Sequence, residues 1–537
     1  MSKITVRPTC IIVNDYNLGD SPKLENSFMV FDMLTHTRSF LGAKYDSENR
    51  KLYLPRGIDL WFVQNCFDCS KQDVEFEEPD DFKPTSDIRM KYQPRDDIQK
   101  QCLRFMLGVN EYKENDKFSQ LSVNLNTGKG KTFVSVYTMA YTQRKSIVVA
   151  TIKSWLKQWK DCILEYTNLE SKNVHIISGA NSINMLLTGK SRYNNCDIFL
   201  VTHSTIKSYG DTYGWNKIDD LYKILGIGNM FIDEAHLNFD NICNINYAVN
   251  VYKTYLVTAT PARSDKDENR IYQLAMKNVP AISLFNEEED PHTKYIAIKW
   301  NSKPTPYQVS SCKNAYGLDR NKYVNYVVNQ PNFYMMLHII MDIVKKINGR
   351  TLFYIGTNDA ILKVYKWLSD NYPEYLGDIG IYTSIAPNKQ AEREKKLILS
   401  TTKSAGASED LPNLKMTIVL AEPFKSEVLA RQTLGRTRND NTLYIELVDL
   451  GFYKIKQYYY SKLPVFNKYA TSVNDININQ LELEERYYNI IRNRERLLNN
   501  NALILSDNRF NTAKEEALWF NKYPDRNALI FYDEDNK

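Results

Sequence analysis

The chain lacks a dense cysteine framework. Its eight cysteines, at positions 10, 66, 69, 102, 162, 196, 243 and 312, are scattered through 537 residues. That pattern excludes a disulfide-stapled scaffold and points to reduced thiols in an intracellular setting. Cys66 and Cys69 form one C-x-x-C, but no second pair follows at zinc spacing and no thioredoxin-like context surrounds it. Two half-buried thiols are the expectation there. No apolar run approaches the ~20 residues that cross a bilayer. The opening Met-Ser-Lys-Ile-Thr-Val-Arg has no secretion-signal core. A soluble, cytoplasmic protein without membrane attachment is expected. Neither sign of charge dominates: 69 basic and 64 acidic residues leave a net +5. This excludes a histone-like polycation and permits nucleic-acid binding only through local patches. No unit of 20–50 residues repeats, which excludes a solenoid.

What is present is enough apolar material for several cores, with 43% hydrophobic and 12% aromatic residues. At roughly 100–200 residues per domain, about three or four domains are expected. Residues 1–88 read as a small, mostly β accessory domain, with strand-like runs at 10–13, 27–31 and 51–57 and an acidic linker at 73–81. From 89 the pattern becomes strand, turn, helix, repeated. Strands are expected at 121–125, 147–150, 197–201, 230–232 and 255–257, and helices at 131–141 and 155–166. Short apolar runs alternating with helices imply a parallel sheet covered on both faces. Residues 265–320 read as an irregular, charged connection carrying an insertion. The alternation then restarts, with helices at 332–347, 360–372 and 427–436 and strands at 351–355, 379–382, 416–420 and 443–448. A helix at 480–499 lies in the tail. The expected domains are therefore 1–88, 89–275, a connection 276–320, 321–455, and a helical tail 456–537.

Two motifs carry chemistry. Thr127-Gly128-Lys129-Gly130-Lys131-Thr132 lies between an expected strand and an expected helix. Glycines there let backbone N–H groups curl around phosphates, and the helix N-terminus adds favourable partial charge. Lys131 suits the β/γ-phosphates and the Thr132 hydroxyl suits Mg²⁺. The general phosphate-loop pattern has glycine at the position of Leu125, a departure. Asp233-Glu234-Ala235-His236 follows the apolar run Met230-Phe231-Ile232. A carboxylate at a strand's carboxyl end faces the crevice where open α/β sheets bind ligands. Asp233 is the expected Mg²⁺ partner and Glu234 the group that polarises the attacking water.

In this order the motifs resemble those of superfamily 2 helicases and translocases, over about residues 89–450. Pro94-Arg95-Asp96-Asp97-Ile98-Gln99 resembles the adenine-reading segment, with Gln99 the candidate. Val149–Lys153 through Trp159 resembles motif Ia, and Asp197–His203 motif Ic; Thr151, Lys153 and Thr202 become candidate phosphate contacts to a bound strand. Leu256-Val257-Thr258-Ala259-Thr260-Pro261 resembles motif III, so Thr258 and Thr260, with His236, are candidates for coupling the two sites. Gly349–Tyr354 resembles motif IV. Thr401–Gly406 resembles motif V and offers Thr402 and Lys403. Arg431-Gln432-Thr433-Leu434-Gly435-Arg436-Thr437-Arg438 resembles motif VI. The resemblance implies Arg436 as an arginine finger, with Gln432 and Arg438 beside it. Ser408 and Asn439 stand where many relatives carry Asp and Arg. The likeness is greatest to the phage UvsW-like branch and its XPB-like relatives, and for those relatives a role in DNA repair, recombination or replication is implied.

The resemblance implies two RecA-like lobes with ATP and Mg²⁺ held between them, in a monomeric motor that remodels duplex, forked or branched DNA. Three alternatives stay open. One is an RNA helicase or transcript-release motor, one a translocase subunit of a defence complex, and one a non-hydrolysing nucleic-acid scaffold.

Overall fold

The computed structural model describes residues 4–32, 37–67, 69–125, 130–235, 237–258, 266–284, 293–315, 317–386, 389–405, 411, 413–435 and 442–507. The chain divides into two compact units, Met1–Glu287 and Glu288–Lys537.

The first unit is built on a seven-stranded sheet. Its spatial order is Val174–Ile176, Ile198–Thr202, Ser146–Ala150, Asn229–Asp233, Lys253–Thr258, Gln120–Leu125 and Ala281–Leu284. Every neighbouring pair is parallel. Strands covered on both faces must be apolar throughout, and Ser146–Ala150 and Ile198–Thr202 are buried at every residue. Helices Lys131–Thr142, Lys153–Tyr166 and His203–Tyr213 supply the crossovers. The second unit repeats the plan. Its order is Ile379–Ile381, Leu397–Ser400, Arg350–Ile355, Leu414–Ala421, Thr442–Asp449, Thr293–Trp300 and Ser472–Asn477, again all parallel. These are tandem RecA-like lobes. A small mixed N-terminal sheet precedes them; helix Tyr453–Tyr469 follows strand Thr442–Asp449, and helix Gln480–Asp507 follows strand Ser472–Asn477.

Several stretches differ from the sequence expectation. The irregular connection contains a helix, Lys266–Ala275, and two strands, Ala281–Leu284 and Thr293–Trp300, one joining each large sheet. The tail contributes a strand as well, Ser472–Asn477. The strand-like run at 27–31 is split: helix Pro22–Phe28 ends where strand Met29–Asp32 begins. The acidic linker is pinned along the first unit. Val74–Phe76 pairs in parallel with Ile4–Val6. Asp80 N–H then donates to the Asn250 carbonyl at 2.9 Å, and Asn250 Nδ2 donates to the Glu78 carbonyl at 2.7 Å.

The N-terminal sheet shares its core with two helices of the first unit. Ile4, Ile11, Leu52 and Leu54 belong to one apolar cluster with Phe239, Tyr247, Ile271 and Tyr272. Those last four lie on helices Phe239–Ala248 and Lys266–Ala275, which follow the strands ending at Asp233 and Thr258. Polar contacts reinforce the junction: Tyr247 Oη donates to the Gly42 carbonyl at 2.6 Å, and Gly42 N–H donates to Asp240 Oδ1 at 3.1 Å. Gly57 must be glycine here, because a Cβ would lie 2.4 Å from the Ala275 carbonyl oxygen.

Candidate active site

Three neighbouring strands of the first sheet, Asn229–Asp233, Lys253–Thr258 and Gln120–Leu125, end on the same edge. Parallel strands present their carboxyl ends together, so residues far apart in sequence converge there. After Gln120–Leu125 the chain passes to Gly130, which holds φ +91°, and enters helix Lys131–Thr142. No side chain caps that helix among the described residues. Its first N–H groups are therefore the anion-binding end of a helix. A Cβ at Gly130 would sit 2.3 Å from Gln99 Nε2, so the loop and the Gln99 amide are packed without spare room. Gln99 is buried. Its backbone N–H donates to Asp96 Oδ1 at 2.8 Å, and its own Oε1 accepts from Arg95 N–H at 3.0 Å.

Lys131 and Glu234 meet directly, Nζ to Oε1 at 2.7 Å, with side-chain exposures of 12% and 1%. Glu234 reaches this place through a left-handed backbone, φ +51°. That region disfavours side chains other than glycine, and such strain collects at functional sites. The turn is fastened by Ala235 N–H donating to the Val257 carbonyl at 3.1 Å and Leu237 N–H to the Glu234 carbonyl at 2.8 Å. Next to Glu234, Asp233 Oδ2 accepts from the Trp159 indole Nε1 at 2.8 Å. Burial and the neighbouring Glu234 push the Asp233 carboxyl up to about 6, against the opposing pull of Lys131 and Trp159. Thr132 is half-buried in the first helical turn, and Thr258 is fully buried at the end of its strand.

The residues present fit a nucleoside triphosphate with a hard divalent cation. The Thr132 hydroxyl and the Asp233 carboxylate are oxygen donors of the kind Mg²⁺ takes. Lys131 and the helix N-terminus complement phosphate charge. Among the described residues no group of three or more His, Cys, Asp or Glu forms a metal cluster, and all eight cysteines are thiols, with Cys66 and Cys69 half-buried.

Not every expected site residue comes to this edge. Thr127, Gly128, Lys129, His236, Thr260, Arg436 and Arg438 lie outside the described residues. Thr151 is half-buried and Lys153 exposed at the start of helix Lys153–Tyr166. Thr202 is buried, and its hydroxyl caps helix His203–Tyr213 by accepting from Thr205 N–H at 3.2 Å. In the second unit Gln432 is half-buried on helix Glu427–Leu434 and Lys403 is exposed. Thr402 is buried there, its N–H donating to Glu422 Oε2 at 3.3 Å. The other oxygen of Glu422 pairs with Arg320 at 2.5 Å. The sequence assigned Trp159 only to a motif Ia resemblance; its bond to Asp233 spans 74 positions and leaves no local signal.

The chain is similar to known proteins over part of its length. Residues 91–263 match the family described as Type III restriction enzyme, res subunit. The chain is 24% identical over 343 residues to the transcript termination protein of myxoma virus (strain Lausanne), covering 59% of this chain and 64% of that protein. It therefore spans somewhat under two thirds of the length of the curated relatives it matches. Among solved structures, T4 UvsW aligns at 11% identity with a TM-score of 0.35, covering 88% of this chain and 99% of that one. Dbp5 of S. cerevisiae, bound to RNA and ADP BeF3, aligns at 15% identity with a TM-score of 0.48, covering 75% and 94%.

Proposed function

We propose that this superfamily 2 helicase-type chain is an ATP-driven nucleic-acid motor that hydrolyses ATP at the edge of its first large sheet and remodels duplex, forked or branched DNA. The observation that carries the reading is the convergence of Lys131, Asp233 and Glu234 at one sheet edge, where Lys131 pairs with Glu234 and both act electrostatically on the Asp233 carboxyl beside them. A scaffold without catalysis has no need of a buried lysine–glutamate pair on a strained turn.

The roles follow from the chemistry of each group. Gly128 and Gly130 and the first turn of helix Lys131–Thr142 cradle phosphates, with Thr127 and Lys129 in the same loop, and Gln99 stands beside them to read the base. Lys131 exchanges Glu234 for a phosphate oxygen. Thr132 and Asp233 hold Mg²⁺, which when bound neutralises charge on the phosphates. Glu234, released from Lys131, orients a water and accepts its proton as the water oxygen bonds to the γ-phosphorus and the bond to the β-phosphate oxygen breaks. Arg436 stabilises charge in that transition state, with Gln432 and Arg438 in support. His236, Thr258 and Thr260 relay the nucleotide state to the strand-gripping elements. Thr151, Lys153 and Lys403 contact strand phosphates through side chains, and Thr202 and Thr402, being buried, through backbone groups.

A second reading is supported by the likeness to the transcript termination protein of myxoma virus: the same motor acts in transcript termination. One assay separates the readings. ATP hydrolysis is measured alone and with single-stranded, duplex and branched DNA and with RNA, using Lys131→Ala and Glu234→Gln as controls. DNA stimulates the wild type in the proposed reading, and Glu234→Gln lowers turnover by at least about a hundredfold. Stimulation by RNA alone turns the assignment to an RNA-directed motor. A wild type inert with all four nucleic acids sinks the motor.

A further inference from the structure

Trp159 lies on helix Lys153–Tyr166, and its indole is buried to within 3%. A buried indole N–H needs an acceptor. Here the acceptor is Asp233 Oδ2 at 2.8 Å, the carboxylate assigned to Mg²⁺. A charge-assisted bond to one carboxylate oxygen fixes the rotamer of the side chain that bears it. The same helix begins at Lys153, immediately after Thr151 and Ile152. Six residues of helix, about 9 Å, separate the strand-contact candidates from the indole. The helix is tied to the sheet by the Trp155, Leu156 and Ile163 side chains, all buried.

We propose that Trp159 is a positioning residue for the metal: its indole N–H holds Asp233 in the metal-binding rotamer and joins that carboxylate to the helix whose first turn contacts the nucleic-acid backbone. This rests on the ATP–Mg²⁺ reading of the site. It adds a residue that touches neither substrate nor metal, and it makes the start of that helix and the metal carboxylate move as one piece.

Trp155 provides a matched control. It lies one turn earlier on the same face of the helix and is equally buried. Its Nε1 has no hydrogen-bond partner among the described residues. Full-length wild type, Trp159→Phe and Trp155→Phe are titrated with Mg²⁺ while binding of a fluorescent ADP analogue is read, with thermal melts as a check on folding. Trp159→Phe raises the Mg²⁺ concentration for half-maximal binding about tenfold. It leaves metal-independent binding unchanged, and Trp155→Phe leaves both unchanged. If Trp159→Phe does not fold, Trp159→Met, which fills apolar space without a donor, replaces it with the same expectation. An unshifted Mg²⁺ midpoint in a folded Trp159 variant overturns the proposal, as does an equal shift in Trp155→Phe, which would mark a packing effect. A wild type that binds no nucleotide with or without Mg²⁺ instead overturns the ATP-site reading beneath it.

Discussion

Lys131 and Glu234 neutralise each other inside the first unit. Two charges removed from water are tolerable as a pair, and removing one partner strands the other. Lys131→Ala therefore lowers the stability of the nucleotide-free protein by about 3–5 kcal/mol, measured by denaturant unfolding. The double variant Lys131→Met/Glu234→Gln recovers most of that loss; if it is no more stable than Lys131→Ala, the pair is not a stabilising unit. In the second unit a buried histidine contributes to acid sensitivity. Burial first, then the nearby Arg494 guanidinium, pushes the His338 imidazole down to about 3 from an ordinary value near 6.5. Its Nδ1 bonds the Tyr372 hydroxyl at 2.8 Å, and Trp367 and Tyr487 flank the ring. The folded chain keeps this ring neutral while the unfolded chain takes up a proton below about 6.5. Stability contributed by the neutral ring is thus complete above that pH and falls as the pH drops toward 3, by about 1.4 kcal/mol per unit at most. Calorimetric melts between pH 7 and 4.5 should show this slope, and His338→Phe should flatten it at the cost of a lower melting temperature at pH 7, since Tyr372 loses its partner.

At the scale of elements, the junction between the N-terminal sheet and helices Phe239–Ala248 and Lys266–Ala275 carries the most consequence. Phe239 is 6% exposed, packs against Tyr272 with ring centroids 5.4 Å apart, and leaves no room for a Cβ on Gly42. Phe239→Ala costs about 3–5 kcal/mol and loosens the helix that follows Asp233. Unfolding should show the loss and ATPase turnover should fall beyond what lost folded protein explains; a variant with wild-type turnover per folded molecule would separate the junction from catalysis. Which elements were legible in the sequence follows from burial. Strands such as Ser146–Ala150 and Asn229–Asp233 are short apolar runs buried on both faces, and they stand out against their helices. Thr293–Trp300 does not, because its apolar run Tyr295–Ile298 is only four residues long and is bracketed by Lys294 and Lys299 just after an acidic segment. Ser472–Asn477 is a polar edge strand held by its ladder to Lys294–Lys299 rather than by side-chain burial. The phosphate loop and the acidic motif were legible because each is contiguous. The pairings Lys131–Glu234 and Trp159–Asp233, 103 and 74 positions apart, depend on which strands lie side by side, and that order has no local signature.

At the scale of the whole molecule, a net charge of +5 over 537 residues gives little long-range attraction for a polyanion. Under the proposed nucleic-acid reading, affinity comes from local contacts to backbone phosphates, each releasing counterions. The nucleic-acid concentration for half-maximal ATPase stimulation should rise steeply with salt, and a log–log plot should lose about one unit of slope when Lys153→Ala removes one contact. A slope unchanged by that substitution removes Lys153 from the contact set. The N-terminal sheet adds a property of the assembly that no single site has. Its core is continuous with the helices that follow Asp233 and Thr258, so in mechanical terms it is a handle welded to the strands that end there. Under the proposed ATPase reading, a load applied to that handle by a tether or a partner would be delivered within one helix length to the strand ends assigned to the nucleotide.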